Sequence, residues 1–187
     1  MPTVLVPIAN GTEEMEAVIV IDVLRRAQWT VTVAGVDDGP ITASRGVRLL
    51  PDTHWRDITP ADFDILMIPG GSPGVERFLQ FPPLLDAVRE FHRAGKWIGA
   101  VCAAPLVLQA AGVLSNRKAT CHPGVAERLT CTPRSSERTV TDGRILTSQG
   151  AGTTFEFALM MVGLVDGPGK AQAIAGAMVC APITANS

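Results

Sequence analysis

Cys102 is the residue of this chain best placed to act as a nucleophile. An apolar run at residues 97–101 ends at this cysteine, and the small residues Ala103 and Ala104 then lead into a helix-forming segment at residues 106–111. A strand, a sharp turn and a helix are the pattern of a nucleophile elbow, which lifts a reactive side chain above the edge of a sheet. The N-terminus of the helix favours thiolate over thiol. The alternative interpretation is a small buried hydrophobic residue, the commonest role of a free cysteine.

Two further residues are candidates for moving the proton of this thiol. Glu16 stands between apolar neighbours in a predicted helix, where burial would raise its pKa and leave it protonated as a hydrogen-bond donor to a Cys102 thiolate. The alternative is a solvent-facing acid, which is the interpretation we favour for Glu13 and Glu14. His122 precedes a proline, and we expect it near the sulfur as a base or an orienting group, although an isolated histidine is more often structural.

Main-chain groups near Cys102 are candidates for binding negative charge. Gly70 and Gly71 follow a predicted buried strand at residues 64–68. Two glycines there permit positive φ angles and a close approach of a ligand to the main chain, although a plain tight turn explains them equally well. We expect the N–H groups of Gly71 and Ala103 to hold an oxyanion.

Strands and helices alternate along the chain, which predicts an α/β fold with a mainly parallel sheet. The predicted strands are residues 3–8, 30–35, 64–68, 97–101 and 118–121, with hairpins at 41–50 and 137–148. The predicted helices are residues 13–27, 82–94, 106–111, 153–165 and 170–180, with a short helix ending at residue 129. Ligands bind such sheets beyond the carboxyl ends of the strands, where Gly71, Cys102 and His122 fall. The first helix is apolar nearly all round, as expected if it also packs against a second subunit.

The composition is that of a globular domain. The chain has 187 residues, 47% of them hydrophobic and 18% charged, and a net charge of -2. We therefore expect one domain over residues 1–187, with no basic surface for nucleic acid. No apolar run is long enough to span a membrane and the start lacks a signal-peptide pattern, so we expect no membrane partner and a cytoplasmic location. The cysteine spacing argues against a metal site, and no dinucleotide or phosphate loop is present, so we expect no cofactor.

Six stretches of this sequence resemble the ThiJ/PfpI superfamily, and within it the branch of the Parkinson-disease-associated protein deglycase and its bacterial homologues. They are GTEEME at 11–16, SRGV at 44–47, LMIPGG at 66–71, AVCAAP at 100–105, HP at 122–123, and LTSQG at 146–150 followed by TTFEF at 153–157. The resemblance covers essentially the whole chain, and the motifs occur in the same order. It implies a flavodoxin-like three-layer sandwich with a nucleophile-elbow cysteine.

The resemblance also implies the composition of the site. Cys102 matches the reactive, easily oxidised cysteine of the family, Glu16 its protonated partner and His122 the nearby histidine. Gly71 and Ala103 match the positions whose N–H groups face the thiol.

A homodimer built in part on the first helix is the assembly that the resemblance implies. Arg26 and Arg45 match arginines that lie near the site across the subunit interface in related dimers, and we expect them to bind substrate or to contribute to that interface.

From these observations we predict a cysteine-dependent, cofactor-independent glyoxalase or deglycase. Its substrates would be small reactive aldehydes, namely methylglyoxal, glyoxal or their early protein adducts, and its role protection against carbonyl and oxidative stress. One alternative is a redox-sensing chaperone in which Cys102 is oxidised to sulfinic acid. Another is a hydratase of a different small electrophile, such as an isonitrile.

Overall fold

A central sheet of mostly parallel strands organises the computed structural model, which describes residues 1–180. The described residues contain nine strands, which are β1 (Thr3–Ile8), β2 (Thr30–Gly35), β3 (Ile41–Thr42), β4 (Arg48–Leu49), β5 (Thr53–His54), β6 (Ile65–Ile68), β7 (Trp97–Val101), β8 (Thr139–Asp142) and β9 (Ile145–Ser148). Seven of them form one sheet in the order β5-β2-β1-β6-β7-β9-β8, and β3 and β4 form a separate antiparallel hairpin. Within the large sheet only the β8–β9 pair is antiparallel.

The helices cover both faces of this sheet. They are α1 (Glu14–Arg26), α2 (Ser72–Leu79), α3 (Pro82–Arg93), α4 (Pro105–Ala110), α5 (Thr154–Asp166) and α6 (Pro168–Ala177). One hydrophobic cluster joins the sheet to α2, α3 and α4, and a second joins its other face to α1, α5 and α6. The inner strands β1 and β6 are buried almost throughout, as parallel strands with helices on both faces must be. The predicted three-layer, flavodoxin-like architecture is therefore confirmed.

The structure differs from the prediction in two stretches. The helix Ser72–Leu79 lies where the sequence analysis predicts no element. Proline is tolerated in the first turn of a helix, and Gly74 is small enough to pack against the main chain of Thr12. The predicted strand at residues 118–121 reduces to a single bridge between Ala119 and Arg134.

The edge strand Thr53–His54 was not predicted either, and the short helix expected to end at residue 129 is a 3-10 helix at Pro123–Arg128. Other differences concern the ends of elements. The separate hairpin and the turn at residues 142–143 are where they were predicted. The predicted C-terminal helix at 170–180 begins earlier and ends earlier, at Pro168–Ala177.

Among residues 1–180, no helix combines the length and the apolar character that crossing a membrane requires.

Candidate active site

The main chain turns sharply at Cys102, directly after the strand Trp97–Val101. Cys102 has a φ of 64°, in the left-handed region that residues other than glycine rarely occupy. Two hydrogen bonds hold this conformation: the Cys102 N–H donates to the carbonyl of Ser148 (2.9 Å), and the Cys102 carbonyl accepts from the N–H of His122 (2.8 Å). The cysteine is thus presented at the carboxyl edge of the sheet by a strained, well-anchored elbow.

Glu16 brings a buried carboxyl group to this elbow from the first turns of α1. The residue is 1% exposed, and its Oε2 accepts a hydrogen bond from the N–H of Gly70 at 2.7 Å. The other oxygen, Oε1, is also buried and has no hydrogen-bond partner of normal geometry among the described residues. Burial raises the pKa of Glu16 to about 7, although the Gly70 N–H and contact with the Cys102 thiol act in the opposite direction. At neutral pH this carboxyl is therefore poised between its acid and its carboxylate forms.

The surroundings of the Cys102 thiol act on its pKa in both directions. Burial raises its pKa to about 12, the negative charge of Glu16 adds to this effect, and the N–H groups of Gly71 and Ala103 oppose it. The helix that follows, Pro105–Ala110, has only six residues, so its dipole is small. When Glu16 takes up the proton of the thiol, its carboxyl becomes neutral and can donate a hydrogen bond to the thiolate that is left.

Gly70 is required by the close packing of this pair, and Gly71 by the main chain of residues 11–13. A Cβ at Gly70 would lie 2.6 Å from the Cβ of Cys102 and 2.8 Å from Oε2 of Glu16, both closer than real side chains approach. Gly71 has a φ of 89°. The N–H groups of Gly71 and Ala103 are directed at the Cys102 sulfur, where they are placed to hold developing negative charge.

His122 lies at the rim of the site with one of its ring nitrogens already engaged. Its Nδ1 accepts a hydrogen bond from the N–H of Gly124 at 3.0 Å, so any proton transfer by this ring would use Nε2. The ring and the thiol flank the same point of the main chain: a Cβ at Gly150 would lie 3.3 Å from Cδ2 of His122 and 4.0 Å from Sγ of Cys102. His122 is exposed to solvent, which suits an orienting group better than a buried base.

A cavity of about 440 Å³ opens over the thiol. Of the residues predicted from the sequence, it is lined by Cys102, Glu16, His122, Gly71, Ala103 and Arg45. Arg26 is not among its lining residues; it pairs with Asp22 on the surface of α1, and its role in an interface stays a prediction.

The sequence reasoning missed a second buried acid beside the site. Glu14 is not solvent-facing, because it packs against the β3–β4 hairpin and accepts hydrogen bonds from the N–H groups of Arg45 and Val47 and from the hydroxyl of Ser44. Burial alone would raise the pKa of Glu14, but a hydrogen bond from its own main-chain N–H, together with those from the hairpin, outweighs it and lowers the pKa. The tight turn at residues 44–46, which directs successive N–H groups to one side, was the available signal.

In the part of the chain that the structure describes, no three His, Cys, Asp or Glu side chains are grouped so as to hold a metal ion.

Comparison with known proteins gives consistent matches over the chain. The model of the DJ-1/PfpI family matches residues 2–164. Protein DJ-1 homolog B of Arabidopsis thaliana is 41% identical over 96% of this chain and 42% of its own length. The chain thus spans less than half of this relative, and 47% of the Arabidopsis homolog A.

Two further matches, one to a curated relative and one to a solved structure, cover most of both chains. The glutathione-independent glyoxalase DJR-1.2 of Caenorhabditis elegans is 35% identical over 88% of this chain and 89% of its own. The solved structure titled oxidized Toxoplasma gondii DJ-1 superposes with a TM-score of 0.93 at 35% identity, covering 97% of this chain and 100% of that one.

Proposed function

This chain belongs to the DJ-1/PfpI family, and from that membership and the geometry of its site we propose that it is a cysteine-dependent, cofactor-independent glyoxalase or deglycase. Its substrates would be methylglyoxal, glyoxal or their early protein adducts, and its role protection against carbonyl and oxidative stress. The observation that carries the proposal is the buried carboxyl of Glu16 in contact with the elbow thiol of Cys102. The name of the C. elegans relative supports the same reaction class.

The first step is attack by the Cys102 sulfur on the aldehyde carbon of methylglyoxal. The thiol proton passes to Glu16 as the sulfur–carbon bond forms, and the aldehyde oxygen becomes an alkoxide held by the N–H groups of Gly71 and Ala103. Glu16 then gives its proton to this oxygen. The product is a neutral hemithioacetal beside a carboxylate.

The second step is an internal transfer of hydrogen within the bound substrate. The Glu16 carboxylate removes the proton from the former aldehyde carbon and returns it to the neighbouring carbon, while the hydroxyl proton moves between the two oxygens. One carbon is oxidised and the other reduced, so no external electron acceptor is needed. The result is a thioester of lactate on Cys102.

Hydrolysis completes the cycle. Water adds its hydroxyl group to the acyl carbon, and the leaving sulfur recovers a proton. The overall reaction converts methylglyoxal and water into lactic acid.

The proposal is tested by following methylglyoxal loss and lactate formation with freshly reduced protein. Turnover by the native protein that disappears in Cys102→Ala and in Glu16→Ala would support it. Full activity in Cys102→Ser, or no lactate from the reduced native protein, would refute it.

A second candidate, a redox-sensing chaperone, is favoured by one feature of the site. The N–H groups directed at the Cys102 sulfur are equally placed to stabilise a sulfinate. Rapid addition of two oxygen atoms at Cys102 under low peroxide, seen by intact mass without aldehyde consumption, would favour this function. A hydratase acting on another electrophile, such as an isonitrile, would use the same thiol and carboxyl.

We also propose that two copies of the chain pair through α1. Met15 and Val18 on this helix are 55% and 48% exposed, which is unusual for large apolar side chains. Val18→Glu should convert a dimer into monomers in light scattering, and a native protein that is already monomeric would contradict this proposal.

A further inference from the structure

Glu14 is a buried anion whose charge is satisfied by a turn instead of by a cation. The residue is 7% exposed, and no basic side chain among residues 1–180 forms an ion pair with it. The N–H of Arg45 donates to both carboxylate oxygens, at 2.9 and 3.1 Å, and the Ser44 hydroxyl donates to Oε2 at 2.9 Å. The N–H of Val47 makes a longer contact of 3.4 Å. The carboxylate therefore accepts hydrogen bonds from several donors of a single tight turn.

The tip of that turn depends on Glu14 more than its base does. The base is held by main-chain hydrogen bonds, from the N–H of Ala43 to the carbonyl of Val47 (2.8 Å) and from the N–H of Ser44 to the carbonyl of Thr12 (2.8 Å). The N–H of Arg45, in contrast, has the carboxylate of Glu14 as its partner among the described residues. One more main-chain bond, from the N–H of Gly46 to the carbonyl of Ala43 (3.0 Å), closes the turn, so loss of the carboxylate would leave the N–H of Arg45 without its partner.

The same turn forms one wall of the cavity above the thiol. Ser44 and Arg45 both line the cavity, whereas Glu14 does not. We propose that Glu14 is a positioning residue, which holds the Ser44–Arg45 wall in place and thereby controls substrate binding rather than the chemical step. This inference rests on the proposed function for its kinetic expectation, but its structural part stands independently.

Ser44 connects Glu14 to a second acid that does line the cavity. Its hydroxyl lies within hydrogen-bond distance of the carboxylates of both Glu13 and Glu14. A hydroxyl has one proton and donates fully to only one acceptor at a time. Removing Glu14 commits that proton to Glu13, so the charge distribution of the cavity wall changes along with its position.

The kinetic expectation is a rise in KM with little change in kcat. We expect Glu14→Ala to raise the KM for methylglyoxal about tenfold, because charge-assisted hydrogen bonds that hold the wall are lost. Glu14→Gln retains one carbonyl oxygen for the N–H groups and should recover part of this loss. Glu90→Gln and Glu90→Ala remove an exposed acid on α3 and serve as matched controls.

Alkylation of Cys102 tests the position of the wall without any turnover. Iodoacetamide is neutral and reports the reactivity of the thiol, whereas iodoacetate is an anion and also senses the Arg45 guanidinium in the cavity wall. Modification is measured by peptide mass spectrometry, because the chain has four cysteines. We expect Arg45→Gln to lower the ratio of the iodoacetate to the iodoacetamide rate about threefold or more, since it removes one positive charge from the cavity. Glu14→Asp, which keeps the negative charge but draws the carboxylate back from the turn, should lower the ratio comparably while the iodoacetamide rate stays nearly unchanged.

The outcomes separate this inference from the proposed function. If no lactate forms but the alkylation ratio falls in both variants, the glyoxalase proposal fails and the role of Glu14 stands. If Glu14→Asp lowers only the melting temperature and leaves the ratio at the native value, Glu14 is merely structural and the inference is overturned. An equal loss of both alkylation rates also overturns it, because Glu14 would then act through the thiol. Should Glu14→Asp fail to fold, Glu14→Gln supplies the comparison, with the effect of the lost charge measured from Glu13→Gln in the same cavity wall.

Discussion

Glu14 and Glu16 lie in the same turn of α1, are both buried, and have opposite pKa shifts. Glu14 accepts several hydrogen bonds from the turn at residues 44–47, which lower its pKa despite its burial. Glu16 accepts one strong N–H bond, from Gly70, and its other oxygen has no hydrogen-bond partner of normal geometry among the described residues, so burial prevails and raises its pKa to about 7. The number of donors that the fold brings to each carboxyl decides whether it is a fixed anion or a carrier of protons.

The largest expected contrast between the two acids is in turnover. Glu16→Gln removes the proton carrier and should lower kcat for methylglyoxal by about 10²–10⁴-fold. Glu14→Gln should leave kcat near the native value, because this residue contacts no reacting atom. Steady-state kinetics of the two variants measure the difference, and similar losses of kcat in both would remove the distinction drawn between them.

The pH dependence of stability should also distinguish the two acids. The pKa of Glu16 is about 7 in the folded protein against an ordinary value of 4.5, so the folded state binds its proton more tightly. Its contribution to stability is therefore present below pH 4.5 and is lost as the pH rises through about 7. The full change amounts to roughly 3 kcal/mol in the free energy of unfolding.

For Glu14 the sign is reversed. Its folded-state pKa lies below the ordinary 4.5, so its contribution is present above that pH and is lost as the pH falls through the folded value.

Urea unfolding from pH 4 to pH 8 should show that Glu16→Gln, relative to the native protein, gains stability towards high pH. Parallel pH profiles for native protein and Glu16→Gln would contradict the raised pKa.

Adding a methyl group at Gly70, beside Glu16, should have a smaller effect than removing the Glu16 carboxyl. Gly70→Ala introduces a methyl group against Cys102 and Glu16 and should lower the free energy of unfolding by about 1–3 kcal/mol. It should also change the rate at which iodoacetamide modifies Cys102. Gly176→Ala, in α6, has no atoms within 4 Å of the added methyl and should be neutral or slightly stabilising. Equal stability of the two variants would mean that the packing around Gly70 relaxes freely.

The smallest effect on stability is expected for the hydroxyl of Ser44, which lies in the hairpin turn and donates to Glu14. Ser44→Ala removes one of the bonds that lower the pKa of Glu14 and should cost about 1 kcal/mol of stability at neutral pH. The loss should shrink as Glu14 is protonated at low pH. A loss that is the same at pH 3 and pH 7 would show that the hydroxyl does not act through the carboxylate.

The features that were predictable from the sequence are local ones. The apolar run, the cysteine and the small residues Ala103 and Ala104 are adjacent in the chain, so the elbow could be identified from its pattern. The apolar neighbours of Glu16 likewise signal that its carboxyl is buried. The motifs that resemble the family reinforced both inferences and supplied the flavodoxin-like architecture.

The features that were missed depend on distant partners. Glu14 is held by Arg45, 31 residues away, and nothing in its own neighbourhood distinguishes it from a solvent-exposed acid. The raised pKa of the Cys102 thiol depends on its burial and on the charge of Glu16, neither of which its neighbours in the sequence reveal. The helix Ser72–Leu79 was missed because glycine and proline, which usually break helices, occupy its first turn.

The proton on Glu16 can be observed directly by infrared difference spectroscopy of the native protein against Glu16→Gln between pH 5 and pH 9. A protonated carboxyl should give a carbonyl stretching band that disappears with a midpoint near pH 7, and the thiol stretching band of Cys102, identified with Cys102→Ala, should persist to high pH. Both results together would establish that this buried pair holds the proton needed for the proposed chemistry. A carboxylate spectrum for Glu16 already at pH 5 would contradict it.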